Sequence, residues 1–207
     1  MQKKLINFAQ QSGLPLTPAQ AEKLLAFATC VWEKKDFLNL TSAQSFEEVI
    51  QRHLCDGLAV AAYIQRVCQA VSAPQLADAG AGCGYIGMTV AVALPRAHVT
   101  LIESLEKRCK FMNWAALTAG IPNVRIKNAR LGQGTLFSFD ALTERAMGQL
   151  PAIFDSCISA VKPGGYFIAF QGAHPQAVGQ APVAQIPYTL PCDNQPRYLV
   201  VFKKNYV

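Results

Sequence analysis

The stretch that decides the fold is Asp78-Ala79-Gly80-Ala81-Gly82-Cys83-Gly84-Tyr85-Ile86-Gly87. It follows a short apolar run at residues 75–78 and opens an apolar segment, residues 86–94, with helical spacing. Glycines at such a strand-to-helix junction permit a tight turn and let the backbone approach a ligand without a Cβ in the way. The carboxyl end of a first strand is also where open α/β sheets bind ligands. Gly82-x-Gly84-x-x-Gly87 satisfies the literal dinucleotide fingerprint, so a nicotinamide enzyme is one reading and a ligand-free glycine turn another.

Outward from this loop, short extended runs alternate with helical ones. His98–Glu103 reads as a strand ending in Glu103, 23 residues beyond Gly80, whose carboxylate suits the two ribose hydroxyls of an adenosine moiety. A helix over 104–119, closed by Gly120, leads to a strand at 123–127. A strand at 139–143 and a helix at 150–161 follow, then a Lys162-Pro163-Gly164-Gly165 turn into a strand at 166–170. Ala184–Leu190 and residues 197–202 read as two strands joined by a Pro/Asp/Asn-rich turn. The pattern predicts an α/β, Rossmann-like, doubly wound parallel sheet with an antiparallel terminal edge hairpin. Two features favour S-adenosyl-L-methionine over NAD. Asp78, two residues before Gly80, is an odd neighbour for a pyrophosphate but suits holding the loop or, through water, a cationic amino-acid tail. The Pro-Gly-Gly turn before an apolar strand is frequent in S-adenosylmethionine enzymes.

Residues 1–72 have a different grammar and read as an N-terminal helical extension to a domain spanning 73–207. Thr17-Pro18-Ala19-Gln20 supplies an N-cap, a proline at the first helical position and a capping-box glutamine. Ala21, Leu24, Leu25, Ala28, Val31 and Trp32 then make one apolar face to about residue 35. A polar turn is expected at residues 36–45. Ser45-Phe46-Glu47-Glu48 opens a second helix through Leu54, and an alanine-rich third helix spans 56–69.

Composition bounds the function. The chain has 207 residues, 51% hydrophobic and 15% charged, which excludes intrinsic disorder as a description of the whole. The longest apolar stretch, residues 86–94, is far short of the roughly 20 residues of a membrane span. The start, MQKKLINFAQQSG, shows no secretory signal, and the reading is of a cytoplasmic protein. Seven cysteines without a C-x-x-C pair favour buried free thiols in a reducing compartment, and three scattered histidines point to no metal site. The net charge of +6 is concentrated: residues 96–130 hold seven basic residues against Glu103 and Glu106. Such a margin suits an anionic partner.

Asn39-Leu40-Thr41, Arg52-His53-x-x-Asp56, the glycine loop, Leu101-Ile102-Glu103-Ser104-x-x-Lys107-Arg108 and Arg145-Ala146 occur in that order. With this spacing, the chain resembles the bacterial 16S ribosomal RNA guanine-N7 methyltransferases, also called glucose-inhibited division protein B, over nearly its whole length. The resemblance implies a class I S-adenosylmethionine-dependent methyltransferase fold and methyl transfer to N7 of a guanine in small-subunit rRNA. It implies cofactor contacts at Asp78, Gly80, Ala81, Gly82, Gly84 and Tyr85, ribose contacts at Glu103 with Ser104 beside it, and adenine contacts at Leu131 and Gly132. Arg145 would lie beside both the cofactor and the target base, as the catalytic residue. Asn39, Arg52, His53, Lys107, Arg108 and Arg130 would face the RNA. The implied partner is 16S rRNA or the 30S subunit, met by a monomer.

The chain departs from that family at Ile86, usually proline, around Gly132-Gln133, usually acidic, at Glu144, usually serine, and at Gln171, usually lysine. Glu144 and Gln171 keep two other readings in view: a methyltransferase for another substrate, or a non-catalytic S-adenosylmethionine-binding module. Guanine N7 carries a free lone pair, so its methylation needs no general base, which agrees with the lack of a nucleophile–base constellation. The target base must leave its stack to be reached. Structural roles are the expectation for Asp140, for His53 as a packing residue rather than a base, and for Lys107 to Lys110 as a solvated helix face. Glu144 is the expected ion-pair partner if Arg145 is structural.

Overall fold

In a computed structural model, residues 1–132 and 138–206 are described. The chain opens with α1 (Gln2–Gln11) and α2 (Pro18–Leu38). Thr17 caps α2 as its sequence predicts: its hydroxyl accepts from Gln20 N, while the Gln20 side chain accepts from Thr17 N. The helix runs three residues beyond the expected end and stops at Asn39, in the left-handed region with φ 48°. The polar turn therefore begins at Asn39 and not at Asp36.

The expected break between the second and third helices is absent. α3 (Phe46–Glu48) runs through a π-helical stretch, Val49–Leu54, directly into α4 (Cys55–Val67). Ser45 Oγ accepts from Glu48 N as predicted, but the Glu48 carboxylate turns to the amide of Gln44 and leaves the box half-closed. Apolar residues on both sides of residue 54 are buried, so no solvated turn could form there.

Strands and helices then alternate: β1 (Gln75–Ala79), α5 (Tyr85–Ala93), β2 (His98–Glu103), α6 (Glu106–Thr118) and β3 (Val124–Asn128). They are followed by β4 (Phe139–Glu144), α7 (Leu150–Ser159), β5 (Val161–Gln171), β6 (Ala184–Leu190) and β7 (Asp193–Lys203). The seven strands lie in the order β3-β2-β1-β4-β5-β7-β6. β1 to β5 are parallel, whereas β7 runs antiparallel between β5 and β6. The terminal hairpin forms as expected, with its second strand inserted inside its first. This is the class I methyltransferase architecture.

Val161 belongs to β5 and not to the preceding helix, and Lys162-Pro163-Gly164-Gly165 bulges within the strand instead of preceding it. Pairing jumps from Phe139↔Val161 to Ala141↔Tyr166. A Cβ on Gly165 would lie 2.7 Å from the Asp140 carbonyl oxygen, which explains the glycine. Asp140 is structural as predicted: it accepts from Gln75 N at 2.7 Å and pairs with Lys162 Nζ at 2.7 Å.

Period-two alternation divides the sheet between two cores. Leu76, Leu101, Ala141, Ile168 and Val201 face the layer that includes α1, α2, α4, α5 and α6. Ala77, Ile102, Leu142, Phe167 and Phe202 face α7. All seven cysteines are free thiols, six of them buried and Cys192 exposed. No helix among the described residues is long and apolar enough to cross a membrane.

Candidate active site

The chain leaves β1 toward β2 on one side of the sheet and later returns to place β4 on the other. This reversal opens a crevice at the carboxyl ends of β1 and β4, where ligands bind in open sheets. The glycine loop forms its floor. Gly80 adopts φ 64°, and a Cβ there would sit 2.8 Å from the Met147 side chain. Gly82 adopts φ 62° with open space on its Cβ side, and its N–H donates to Glu103 Oε2 at 3.0 Å.

Asp78 is buried, and its Oδ2 accepts from Gly87 N at 2.9 Å while its Oδ1 accepts from Thr143 Oγ1 at 3.2 Å. Of the two expectations for this acid, the structure realises the first: it fastens the opening turn of α5. Burial pushes its carboxyl up to about 6, against the pull of Gly87 N–H, Arg145 and Thr143.

Glu103 is also buried, and Oε1 accepts from Leu105 N at 2.8 Å. Ser104 Oγ donates to Oε1 at a long 3.4 Å and Arg108 Nη1 lies 3.6 Å from Oε2, contacts loose enough to give way to a ligand hydroxyl on either oxygen. The turn around it is locked by Asn128, whose Nδ2 donates to the Glu103 and Ser104 carbonyls at 3.0 Å each. Asn128 carried no sequence signal for this role beyond its place at a strand end.

Three cavities run along the crevice. One of about 320 Å³ is lined by Gly80, Glu103, Ser104, Arg130, Leu131 and Met147, among others. The next, about 290 Å³, includes Thr41, His53, Asp78, Gly82, Tyr85 and Arg108. The third, about 270 Å³, includes Asp56, Glu144, Gln149, Gln171, Tyr188 and Arg197. Gly80 is common to the first two, and Arg145 with Ala146 to the last two.

Arg145 thus stands at a junction, and its partner is not Glu144. Its Nη1 donates to Asp56 Oδ2 at 2.8 Å, while the Tyr188 hydroxyl donates to Asp56 Oδ1 at 2.7 Å. Asp56 is 2% exposed. Glu144 ends β4 while Arg145 lies in the bend that follows, and the Glu144 carboxylate is taken up by that bend. Its Oε1 accepts instead from Met147 N at 2.8 Å, tying down a turn in which Ala146 adopts φ 61°. A left-handed non-glycine residue costs about 1–2 kcal/mol. Burial raises the Glu144 carboxyl to about 7.

Among the residues expected to face RNA, His53 stacks on Tyr85 with ring centres 4.3 Å apart and planes at 12°. Burial, with Arg145 and Arg52 nearby, pushes its imidazole down to about 3, so it is a neutral packing group as predicted. Arg145 lies 5.7 Å from the centre of the same Tyr85 ring. Arg108 and Arg130 line the crevice, Arg108 at 3.6 Å from Glu103 Oε2, and Arg52 is held by Glu48 at 3.0 Å and Asp193 at 3.9 Å. Asn39 and Lys107 are exposed outside the cavities, and Lys110 pairs with Glu106 on the solvated face of α6. Gly132 is exposed beside the 320 Å³ cavity, with its Cβ position facing Ser156, and Gln133 lies outside the described residues. The Asp56–Tyr188 contact, spanning 132 positions, has no local sequence signal; only the Arg52-His53-x-x-Asp56 spacing marked its first member.

A family model described as rRNA small subunit methyltransferase G matches residues 20–183. A protein named ribosomal RNA small subunit methyltransferase G from Aromatoleum aromaticum is 31% identical over 93% of this chain and 94% of its own. The protein of that name from Leptothrix cholodnii is 33% identical over 84% of this chain and 79% of its own. Among solved structures, an RNA methyltransferase from Salinibacter ruber in complex with S-adenosyl-L-homocysteine superposes with a TM-score of 0.53. It is 15% identical and covers 70% of this chain and 92% of that one. An S-adenosylmethionine-dependent O-methyltransferase from Thermotoga maritima gives 0.52 at 16% identity, over 72% of this chain and 65% of that one.

Proposed function

Since the chain belongs to the rRNA small subunit methyltransferase G family, we propose that it methylates N7 of a guanine in 16S rRNA, using S-adenosyl-L-methionine, as a cytoplasmic monomer. The carrying observation is Arg145, pinned by buried Asp56 at the junction between a glycine-floored crevice and a polar cavity.

S-adenosyl-L-methionine supplies an electrophilic methyl on a sulfonium. The residues present fit it: Gly82 leaves its Cβ position clear, the absence of a Cβ on Gly80 makes room for Met147 in the cavity wall, and Glu103 offers acceptors at the wall of the 320 Å³ cavity. Glu103 with Ser104 would take the ribose hydroxyls, Leu131 and Gly132 the adenine, and Asp78, Ala81, Gly84 and Tyr85 the methionine side. The target guanine would enter the 270 Å³ cavity from the other side of Arg145. When bound, the cofactor would supply the methyl to N7, whose own lone pair is the nucleophile, with S-adenosylhomocysteine as the leaving group. No side chain has to remove a proton, and catalysis reduces to orientation and charge. Arg145 would hold the base edge while N7 stays open, with His53 neutral beside it. Residues 1–72 would act as the extension that brings Asp56 and His53 to the domain at 73–207. Arg108 and Arg130 would meet phosphates, which position without specifying; Asn39, Arg52 and Lys107 would stand at the margin.

The test is transfer of labelled methyl from S-adenosyl-L-methionine to small subunits from a strain lacking the gene. One 7-methylguanosine is expected in the rRNA, with turnover lost in Arg145→Ala while S-adenosylhomocysteine still binds. Unmodified rRNA after incubation with wild-type chain would overturn the reading.

A further inference from the structure

We propose that a ridge formed by the end of α2 and the outer face of α6 binds single-stranded RNA flanking the target base, stacking bases on Phe37 and Trp114 between lysines. The inference rests on the rRNA reading above and adds a docking surface outside the crevice.

The ridge begins with an anomaly of burial. Phe37 is 87% exposed one turn after Lys34, whereas Leu24, Phe27 and Val31 of the same helix are buried in the core. Trp114 on α6 is 39% exposed, and Lys34 Nζ lies 5.8 Å from the centre of its ring. Along α6, Lys107, Lys110, Trp114 and Leu117 recur at helical spacing on one exposed face, opposite buried Cys109, Met112 and Ala115. From Lys107 to Leu117 the stripe is about 15 Å long. Single exposed apolar residues need no explanation. Two aromatics joined through a lysine and continued by two more lysines are the combination that binds single strands: π-faces for bases and cations for phosphates.

The position fits one substrate strand. Lys107 adjoins Arg108 in the crevice wall, and Leu40 and Thr41, just beyond Phe37, line the same cavity. A strand lying on the ridge would thus run into the site where its next base is needed. The acids near it are Glu106, paired with Lys110, Asp36, paired with Lys35, and exposed Glu33 one turn before Phe37. The two ion pairs lie on the surface, are worth about 0–1 kcal/mol, and yield readily to a phosphate.

Binding of the purified full chain to a fluorescent single-stranded RNA oligonucleotide, and to protein-free 16S rRNA, tests this. Phe37→Ala is expected to weaken binding roughly five-fold or more. Lys34→Gln and Lys107→Gln should each lower the slope of log affinity against log salt by about 0.7. RNA should quench tryptophan emission in the wild type; Trp114→Phe, which keeps a ring, should bind nearly normally and lose most of that quench. S-adenosylhomocysteine affinity should stay unchanged in all four. Wild-type affinity and salt slope for both RNAs in Phe37→Ala and the lysine variants would overturn the proposal. So would a defect confined to assembled subunits, which would assign the ridge to a ribosomal protein. Ridge-dependent RNA binding by a wild-type chain that methylates nothing would sink the proposed activity and leave the ridge standing.

Discussion

Asp56 holds two groups at once, Arg145 at 2.8 Å and the Tyr188 hydroxyl at 2.7 Å, with almost no access to water. Removing its charge should therefore misplace Arg145 more than it harms the cofactor side. Asp56→Asn is expected to lower kcat by about ten- to hundred-fold with little change in S-adenosylhomocysteine affinity, measured by single-turnover methyl transfer and calorimetry. Glu144 gives a second prediction, in pH. Its folded carboxyl titrates near 7, above its ordinary 4.5, so the native chain holds the proton longer than the unfolded one. Stability from this group is present below about pH 4.5 and is lost as pH rises through 7. Glu144→Gln retains an acceptor for Met147 N and should gain about 2–3 kcal/mol over wild type across that window, read from denaturant melts at pH 5 and pH 8. The glycine loop, Asp78 and Glu103 were legible in the sequence because their chemistry is local to a strand end, whereas Arg145 stood out only through the family resemblance. Asp56 and Tyr188 meet only through the fold.

Among the elements, α4 and α5 cross where Gly57 faces Thr89. A Cβ on Gly57 would stand 2.5 Å from Thr89 Cβ, which is too close for any real contact. Alanine is the better helix former by about 1 kcal/mol, yet overpacking here costs about 1–3 kcal/mol. Gly57→Ala should therefore lower Tm despite its propensity, and pairing it with Thr89→Ser should recover part of the loss. Element existence was readable from hydrophobic period and caps: Thr17 and Gly120 mark true ends. The π-helical passage from Val49 to Leu54 was not readable, because its apolar residues fit either of two helices or one. It stands where His53 and Asp56 must both reach the crevice, a setting in which π-turns recur. The bulge at Lys162 to Gly165 was misread for a similar reason: Pro-Gly-Gly signals a turn wherever it stands, and only pairing with Asp140 shows that the strand continues.

At the scale of the whole molecule, one core joins the N-terminal helices to the sheet: Leu24, Phe27 and Leu58 are fully buried in the same cluster as Ile86, Met88 and Leu101. Residues 73–207 alone would expose that face of α5. A fragment of those residues is expected to lack cooperative melting by circular dichroism, whereas the full chain should melt in one transition. The parallel sheet and its antiparallel ending were legible from alternation and turn chemistry, because period and punctuation are carried by each segment. The strand order was not, since β7 inserts between β5 and β6 through long-range pairing alone. The sulfur chemistry of the molecule follows from the same packing. Burial holds the thiols of Cys68, Cys83 and Cys157 at about 11 to 12, and raises those of Cys30, Cys55 and Cys109 as well. Only Cys192, at the tip of the β6–β7 hairpin, meets solvent. A maleimide dye would therefore label the native chain at one sulfur, beside the Asp193–Arg197 pair and the Arg52 side chain. The untouched sequence already carries a single-site reporter for whatever approaches that end of the crevice.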